Sequence, residues 1–350
     1  MLMSRRKKTK IVATLGPASE KVEVMEKMIL SGVDVFRINF SHAEHKDVAK
    51  RIKIIRDLSE RLNSNTSILA DLQGPKLRVG KVEEGTVVTP GDRIDFLNGE
   101  PFVGNKEKVY MNYDNFSKDV RPGERILLDD GKLIFEVIST DKKAKVEAKV
   151  IHGGNLKSKK GVNLPNTDIS LPALTPKDVI DAEFAIKQDV DWIALSFVRN
   201  SEDILDLRKL IEEHSDHKIP IIAKIEKPEG IENIDKIISY CDGLMVARGD
   251  LGVEIPPAEV PLMQKELVKL AKKARIPVII ATQMMESMID SLTATRAEVN
   301  DVANSVMDGA DAVMLSGETS VGEYPVEVIQ TMSSIIHSVE NSDLISVPQK

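Results

Sequence analysis

The chain has 350 residues, with 48 lysines and arginines against 55 aspartates and glutamates, which gives a net charge of −7 at pH 7. With 42% hydrophobic and 29% charged residues, its composition is that of a globular protein and excludes intrinsic disorder. The acidic balance argues against a nucleic-acid partner, and no apolar run approaches the roughly 18 residues that span a bilayer. Cys241 is the single cysteine, so no intrachain disulfide can form. Together with the lack of a membrane-spanning run, this predicts a cytoplasmic protein without a membrane partner.

Short apolar runs alternate with longer amphipathic runs along most of the chain. Runs typical of buried parallel strands occupy residues 10–15, 35–40, 67–72, 192–197, 220–225, 243–247, 277–282 and 312–315. Helical patterns occupy residues 22–30, 47–62, 175–188, 202–213, 231–240, 260–274, 295–307 and 326–339. Eight strand–helix units favour an α/β fold of the (β/α)8 TIM barrel type over a doubly wound open sheet.

The third predicted strand is followed by a β-rich segment instead of a helix. Residues 146–150 alternate with period two, and turn signals recur at Pro90-Gly91, Asn98-Gly99, Pro122-Gly123 and Asp130-Gly131. The runs 126–128 and 133–137 flank residues 129–132 and predict a β-hairpin. We therefore expect a catalytic barrel formed by residues 1–75 and 172–350, with an inserted antiparallel β-barrel lid domain at residues 76–171, after strand three.

Polar side chains stand at the ends of all eight predicted strands. They are Thr14; Arg37, Asn39 and Ser41; Asp71; Ser196; Lys224 and Glu226; Arg248 and Asp250; Thr282 and Gln283; and Ser316 and Glu318. Barrel enzymes take their catalytic groups from the carboxyl ends of several strands, so this pattern predicts an active site at that end. The alternative interpretation is a set of separately solvated strand tips.

Glu226 and Asp250 follow strands five and six, which are neighbours in a barrel. Converging carboxylates need a cation, and oxygen ligands without cysteine or clustered histidine suit Mg²⁺ or Mn²⁺. The alternative is that Glu226 pairs with Lys224 or Arg248 and that Asp250 caps a helix. Side chains alternate along a strand, so Lys224 shares a face with Glu226; we expect its ammonium to stabilise a migrating phosphoryl group rather than form a Schiff base.

Glycines and further cations complete the predicted anion site. Residues 248–252 (RGDLG) predict a tight turn whose backbone N–H groups approach an anion. Arg37, Arg78 and Lys177 are cations suited to phosphate oxygens, although solvated surface positions are the alternative for Arg78. At the start of the chain, residues 5–8 (RRKK) predict a solvated arm.

Several motifs, in order along residues 9–339, resemble the pyruvate kinase family. They are KIVATLGPAS (10–19), FRINFSH (36–42), IAKIE (222–226), MVARGDLGVE (245–254), ATQMMES (281–287) and MLSGET (314–319). The resemblance implies a barrel with a β lid that transfers a phosphoryl group from phosphoenolpyruvate to ADP with Mg²⁺. The products would be pyruvate and ATP, as in glycolysis.

By motif, the resemblance assigns Lys224 to the phosphoryl group in flight, Glu226 and Asp250 to the metal, and Arg37 to phosphate oxygens. The amides of Gly249 and Asp250, with Thr282, would bind the substrate carboxylate. The nucleotide side would be lined by Asn39, His42, Arg78 and Lys177. Thr282, Ser316 and Glu318 match the region where the enolate is protonated, and the donor of that proton stays open.

Two departures from the family pattern are visible in the sequence. Many members hold K⁺ on oxygens that match Asn39, Ser41, Asp71 and the Leu72 carbonyl, but Lys76 stands here where those members carry a glutamate. The Lys76 ammonium can replace that ion, so we expect activity that does not need K⁺; a lysine that merely faces solvent is the alternative. The chain also stops soon after the eighth helix, so we expect the C-terminal regulatory domain to be absent.

Two further functions remain open at this point. A Mg²⁺-dependent lyase or aldolase acting on pyruvate enolate would share the carboxylate pair and the cations, but it does not explain the β insertion. A catalytically silent barrel that acts as a binding module is the non-enzymatic alternative. The resemblance also implies a homo-oligomer for a full-length protein.

Overall fold

The computed structural model describes residues 7–41 and 43–343, and this part of the chain forms two compact units. The first unit contains the described residues up to Gly74, Ala173–Gly249, and the described residues from Ala258 onward. The second contains Pro75–Pro172 and Asp250–Pro257, a segment that the sequence pattern assigns to the barrel. Among the described residues, no helix is both long enough and apolar enough to cross a membrane.

The first unit is a closed barrel of eight parallel strands. In chain order they are β1 (Lys10–Thr14), β2 (Val35–Asn39), β3 (Ser67–Asp71), β4 (Trp192–Leu195), β5 (Ile221–Ile225), β6 (Gly243–Ala247), β7 (Val278–Ala281) and β8 (Ala312–Leu315). Each strand pairs with its neighbours in sequence, and β1 pairs with β8 to close the barrel. This closure confirms the predicted (β/α)8 fold and excludes the open sheet.

Helices follow the strands around the barrel. They are Val22–Ser31, His45–Arg61, Pro176–Lys187, Ser201–His214, Pro228–Glu232, Ile234–Tyr240, Arg248–Glu254, Val260–Ala274, Arg296–Asp308, Gly317–Ser320 and Pro325–Glu340, with a 3₁₀ turn at Glu286–Ile289. Capping boxes at Thr175, Asn200 and Thr295 satisfy the free N–H groups where three of these helices begin. Gly32 ends the helix Val22–Ser31 and Gly309 ends the helix Arg296–Asp308, both in the left-handed conformation that glycine adopts readily.

The inside of the barrel is filled by side chains from alternate positions of the strands. Val12, Leu69, Ile222, Met245 and Met314 belong to this cluster, and each is at most 2% exposed. Since successive side chains of a strand point to opposite faces, the other positions pack outward against the helices. The barrel interior is therefore a packed core, and polar groups are left to the strand ends.

At the amino end of the barrel, one arrangement occurs four times. An aspartate stands directly before each even-numbered strand and accepts a hydrogen bond from a backbone N–H of the preceding odd-numbered strand. The N–O distances are 2.8 Å for Ile11 to Asp34, 2.6 Å for Ile68 to Asp191, 2.9 Å for Ile221 to Asp242 and 3.0 Å for Val278 to Asp311. We call Asp34, Asp191, Asp242 and Asp311 the amino-end aspartates.

Each amino-end aspartate also pairs with at least one cation. Asp34 pairs with Lys7, Asp191 with Arg56, Asp242 with Arg208 and Lys218, and Asp311 with Lys272. Lys7 is 8% exposed, so the prediction of a solvated arm is wrong for this residue, because the carboxylate of Asp34 draws it against the barrel. Arg5 and Arg6 lie outside the described residues.

The second unit is built on a six-stranded sheet. In spatial order its strands are Val162–Asn163, Arg125–Leu128, Leu133–Thr140, Lys145–His152, Arg93–Leu97 and Lys108–Tyr110. Four neighbouring pairs are antiparallel and the last is parallel, whereas the sequence pattern predicts antiparallel pairing throughout. Val87–Val88 and Gly154–Asn155 form a separate two-stranded sheet, and Phe116–Asp119 is a short helix.

The predicted β-hairpin of the second unit is confirmed. Arg125–Leu128 pairs antiparallel with Leu133–Thr140, and Leu128 faces Leu133 across the turn. Asp129, Asp130 and Gly131 have φ values of 53°, 57° and 81°, a left-handed turn that aspartate and glycine tolerate. Phe96, Phe116 and Phe135 pack in the core of this unit, so its stability rests on its own apolar cluster.

Candidate active site at the carboxyl ends of the barrel strands

Lys224 lies at the centre of the polar residues at the carboxyl end of the barrel. Its Nζ atom lies 3.1 Å from Asp71 Oδ1, 2.6 Å from Ser196 Oγ and 3.2 Å from Glu226 Oε1. The side chain is 10% exposed, and these three partners, one from β3 and two that directly follow β4 and β5, fix its position. The structure thus brings Lys224 and Glu226 together on one face of the strand end, in agreement with the alternation of side chains and with the alternative of a Glu226–Lys224 ion pair.

Asp71 is the carboxylate that joins two cations. Its Oδ2 accepts a 2.6 Å hydrogen bond from Arg37 Nε, while its Oδ1 faces Lys224. Burial by itself raises the pKa of Asp71, but the charges of Lys224 and Arg37 and their hydrogen bonds outweigh it and hold the pKa below its usual value of 3.8. The carboxylate therefore stays ionised and anchors both cations.

Arg37 reaches across to β1. Its Nη1 donates to Thr14 Oγ1 at 3.0 Å, and the Thr14 hydroxyl donates to the Leu315 carbonyl at 2.8 Å. Arg37 is therefore held between Asp71 and Thr14, with its side chain 11% exposed. A guanidinium with two of its nitrogens fixed in this way keeps its plane and can present its remaining N–H groups to an anion.

Glu226 offers a carboxylate suited to a hard cation. Its Oε2 accepts a 2.7 Å hydrogen bond from the backbone N–H of Phe197, a residue with φ of 55°, and its Oε1 faces Lys224. Carboxylate oxygens are the ligands that Mg²⁺ takes, so the donor chemistry of Glu226 fits the predicted metal. Asp250 lies in the helix Arg248–Glu254, which begins directly after β6.

The segment after β6 differs from the prediction. Residues 248–252 are helical rather than a tight turn, so the predicted turn is wrong. The backbone N–H of Gly249 donates to Thr282 Oγ1 at 2.8 Å, which links the start of this helix to the end of β7. A Cβ on Gly249 would lie 3.1 Å from that oxygen, so glycine allows the two segments to approach this closely.

Glu318, after β8, orders the main chain around Ser316. Its two carboxylate oxygens accept the backbone N–H groups of Ser316 at 2.7 Å and of Met285 at 3.1 Å. Glu318 is 2% exposed, and these bonds tie the segment after β8 to the segment after β7. Thr319 Oγ1 donates to the Thr14 carbonyl at 2.9 Å, so the same segment also contacts the end of β1.

Residues predicted to line the nucleotide side are partly engaged by the chain itself. Lys177 Nζ donates to the Phe40 carbonyl at 2.8 Å and pairs with Asp181, which also lies 2.8 Å from His45 Nε2. Asn39 Oδ1 accepts the N–H of Ser41 at 3.0 Å. The predicted residue His42 lies outside the described residues.

The predicted oxygens of a monovalent-cation site also have partners from this chain. Both oxygens of Asp71 face cations, and the Leu72 carbonyl accepts a 2.7 Å hydrogen bond from Ser196 Oγ. Lys76 belongs to the second unit, is half-buried, and lies beside Gly161. Arg78, in the same unit, donates from Nη1 to the Lys159 carbonyl at 2.9 Å.

Two residues of the site received no role from the sequence. Ser196 bridges Lys224 and the Leu72 carbonyl, and its place at the end of a strand was the one signal that marked it. Asp301 lies in the middle of the helix Arg296–Asp308 and accepts two hydrogen bonds of 2.7 Å from Arg248. Nothing in the local sequence distinguishes Asp301 from the other polar residues of that helix.

The closed barrel places this protein in the class of (β/α)8 barrel proteins, and its buried cations and carboxylates lie at the carboxyl ends of the strands. A family model described as the pyruvate kinase barrel domain matches residues 6–329. The chain belongs to the pyruvate kinase family.

Curated relatives support the same family. The chain is 47% identical to pyruvate kinases of Staphylococcus haemolyticus and Bacillus licheniformis, over 95% and 96% of its length. It is 45% identical to the pyruvate kinase of Corynebacterium glutamicum over 99% of its length. The chain spans 57%, 58% and 73% of the length of these three relatives, respectively.

Proposed function

We propose that this chain catalyses the Mg²⁺-dependent transfer of a phosphoryl group from phosphoenolpyruvate to ADP, which yields pyruvate and ATP in glycolysis. The observation that supports this reaction most directly is the buried ammonium of Lys224, held by Asp71, Ser196 and Glu226 at the end of β5. Phosphoryl transfer depends mainly on positioning and charge stabilisation, and a fixed ammonium needs no reorganisation to supply them.

In this proposal the groups at the ends of the strands contact different parts of the substrates. Lys224 stabilises the phosphoryl group as its bond to the enolate oxygen breaks and a bond to the terminal phosphate oxygen of ADP forms. Arg37, fixed by Asp71 and Thr14, binds the phosphate oxygens. Glu226 and Asp250 hold Mg²⁺, which when bound neutralises charge on the phosphoryl oxygens.

The enolate end of the substrate lies toward β6, β7 and β8 in the same proposal. The amides of Gly249 and Asp250 and the hydroxyl of Thr282 bind the carboxylate. The enolate accepts its proton in the region of Thr282, Ser316 and Glu318, where Glu318 holds the Ser316 amide in place. The nucleotide is bound by Asn39, His42, Arg78 and Lys177.

The test is an assay of ATP formation by this chain from phosphoenolpyruvate, ADP and Mg²⁺. We expect ATP and pyruvate in equal amounts, and no product when the metal is chelated. Carbon–carbon bond cleavage or formation at pyruvate without ATP would identify the lyase instead. A folded chain with neither activity would identify a silent barrel.

We also propose that the reaction does not need K⁺, because Lys76 supplies a positive charge where many family members rely on the ion. Activity in buffer with tetramethylammonium as the only monovalent cation should match activity with K⁺. Lys76→Glu should create a K⁺ requirement, since a carboxylate then replaces the ammonium. Lys81→Glu, at an exposed position of the same unit, is the matched control and should remain K⁺-independent. Loss of wild-type activity without K⁺ would refute the proposal.

A further inference from the structure

The backbone directly after β7 is left-handed at two successive residues that are not glycine. Thr282 has φ of 73° and Gln283 has φ of 54°. Left-handed backbone is unfavourable for residues with a Cβ, and most of all for a β-branched residue such as threonine. Such a conformation persists only where surrounding contacts impose it.

The guanidinium of Arg248 contacts both of these residues. Its Nη2 donates to the Thr282 carbonyl at 2.8 Å and to the Gln283 carbonyl at 3.3 Å. These are the carbonyls of the two left-handed residues, so one side chain contacts both peptide planes, and it contacts that of Thr282 more closely. Arg248 lies at the end of β6, and its side chain is 12% exposed.

Asp301 in turn holds Arg248. Its two carboxylate oxygens accept 2.7 Å hydrogen bonds from Nη1 and Nη2, a bidentate pair that fixes the plane of the guanidinium. Gln264 Oε1 lies 3.3 Å from Nη1 on the same side. The helix Arg296–Asp308 therefore sets the position of Arg248 through Asp301.

We propose that Arg248, fixed by Asp301, is a positioning residue that keeps Thr282 left-handed and its hydroxyl at the Gly249 amide. Arg248 precedes Gly249 in the chain and holds the Thr282 carbonyl, so one residue sets both partners of the 2.8 Å bond between them. The inference rests on the proposed function, in which the Gly249 N–H leaves Thr282 Oγ1 to donate to the carboxylate of phosphoenolpyruvate, and the Thr282 hydroxyl donates to the same carboxylate. Loss of Arg248 should therefore affect phosphoenolpyruvate and spare ADP.

The test uses Arg248→Lys and Asp301→Asn, each alone and combined with Gln283→Gly. Each single variant should lower kcat/KM for phosphoenolpyruvate by about tenfold and leave KM for ADP unchanged, since a left-handed pair costs energy once it is no longer held. Glycine adopts positive φ without that cost, so adding Gln283→Gly to either single variant should raise its kcat/KM for phosphoenolpyruvate about threefold. Gln283→Ala, at the same exposed position, is the matched control and should restore nothing.

Rescue by glycine and not by alanine supports the positioning role, because a residue needed only for folding would not be replaced by flexibility at position 283. Equal effects of glycine and alanine, or single variants with wild-type kcat/KM, would overturn it. If Arg248→Lys does not fold, the comparison of Asp301→Asn with the double variant Asp301→Asn, Gln283→Gly decides the test.

Failure of the proposed function leaves a separate conformational readout. A wild-type chain that forms no ATP refutes the proposed function only. A crystal structure of Asp301→Asn then tests the positioning role: departure of Thr282 from positive φ supports it, and an unchanged Thr282 overturns it.

Discussion

The two ends of the barrel are built in different ways. At the amino end, the four amino-end aspartates repeat one arrangement, in which a carboxylate before an even strand accepts an N–H of the odd strand before it. At the carboxyl end, Lys224, Asp71 and Arg37 come from three different strands and form an irregular ionic cluster. The same link serves four pairs of strands at the amino end, whereas each group of the candidate site has partners of its own, so only the amino end is repetitive.

Replacing Lys224 should produce the largest effect and should act on activity. Lys224→Met removes the ammonium that supports the phosphoryl group, so ATP formation should fall about a thousandfold. Exchange of the pyruvate methyl protons with solvent, followed by proton NMR, should continue because enolisation does not use that ammonium. Equal loss of both reactions would show that Lys224 is not specific to phosphoryl transfer. It would also contradict the view that each group at the carboxyl end has a separate role.

Replacing Asp71 should affect both activity and stability, because this carboxylate anchors two buried cations. Asp71→Asn leaves Lys224 and Arg37 short of one negative charge, so the free energy of unfolding should fall by about 3–5 kcal/mol at neutral pH. Misplaced cations should also lower kcat by about a hundredfold. Urea denaturation and steady-state kinetics measure the two effects.

The stability difference between wild type and Asp71→Asn should depend on pH. Since the folded-state pKa of Asp71 lies below its usual value of 3.8, the stabilisation is complete above that value. It is lost as the pH falls below 3.8 through the lower folded-state pKa, because the protonated carboxyl no longer attracts the cations. A difference that stays constant down to that acid range would contradict the role of Asp71 as an ionised anchor.

Replacing an amino-end aspartate should produce the smallest effect and should act on stability alone. Asp242→Ala removes the acceptor of the Ile221 N–H and the partner of Arg208 and Lys218, so unfolding should become easier by about 1–3 kcal/mol. kcat should stay at the wild-type value, and Asp311→Ala should behave in the same way. A large fall in kcat for either variant would contradict the view that the amino end of the barrel contributes to stability alone.

The strands, helices and hairpin could be predicted from sequence because each follows a local pattern. Apolar runs gave the eight strands, and Thr175-Pro176 marked the start of the helix Pro176–Lys187. The approach of Lys224 to Glu226 followed from alternation along a single strand. These features depend on residues close together in the chain.

Contacts between distant segments could not be predicted in this way. Asp71 meets Lys224 across 153 positions of the chain, and Arg248 meets Asp301 across 53. The helix Arg248–Glu254 was also missed, because two glycines in seven residues are typical of a turn. Gly249, at the start of this helix, contacts Thr282, and a one-dimensional pattern does not contain that contact.

The bond between Asp191 and Ile68 bears on how a barrel tolerates a large addition. Most of the second unit lies between β3 and β4 in the chain. Asp191 nevertheless links these two strands at the amino end, as the other amino-end aspartates link β1 to β2, β5 to β6 and β7 to β8. Asp191 accepts the Ile68 N–H and pairs with Arg56, so it holds the start of β4 against β3. The register of these two strands is therefore set at the amino end, independently of the length of the segment between them.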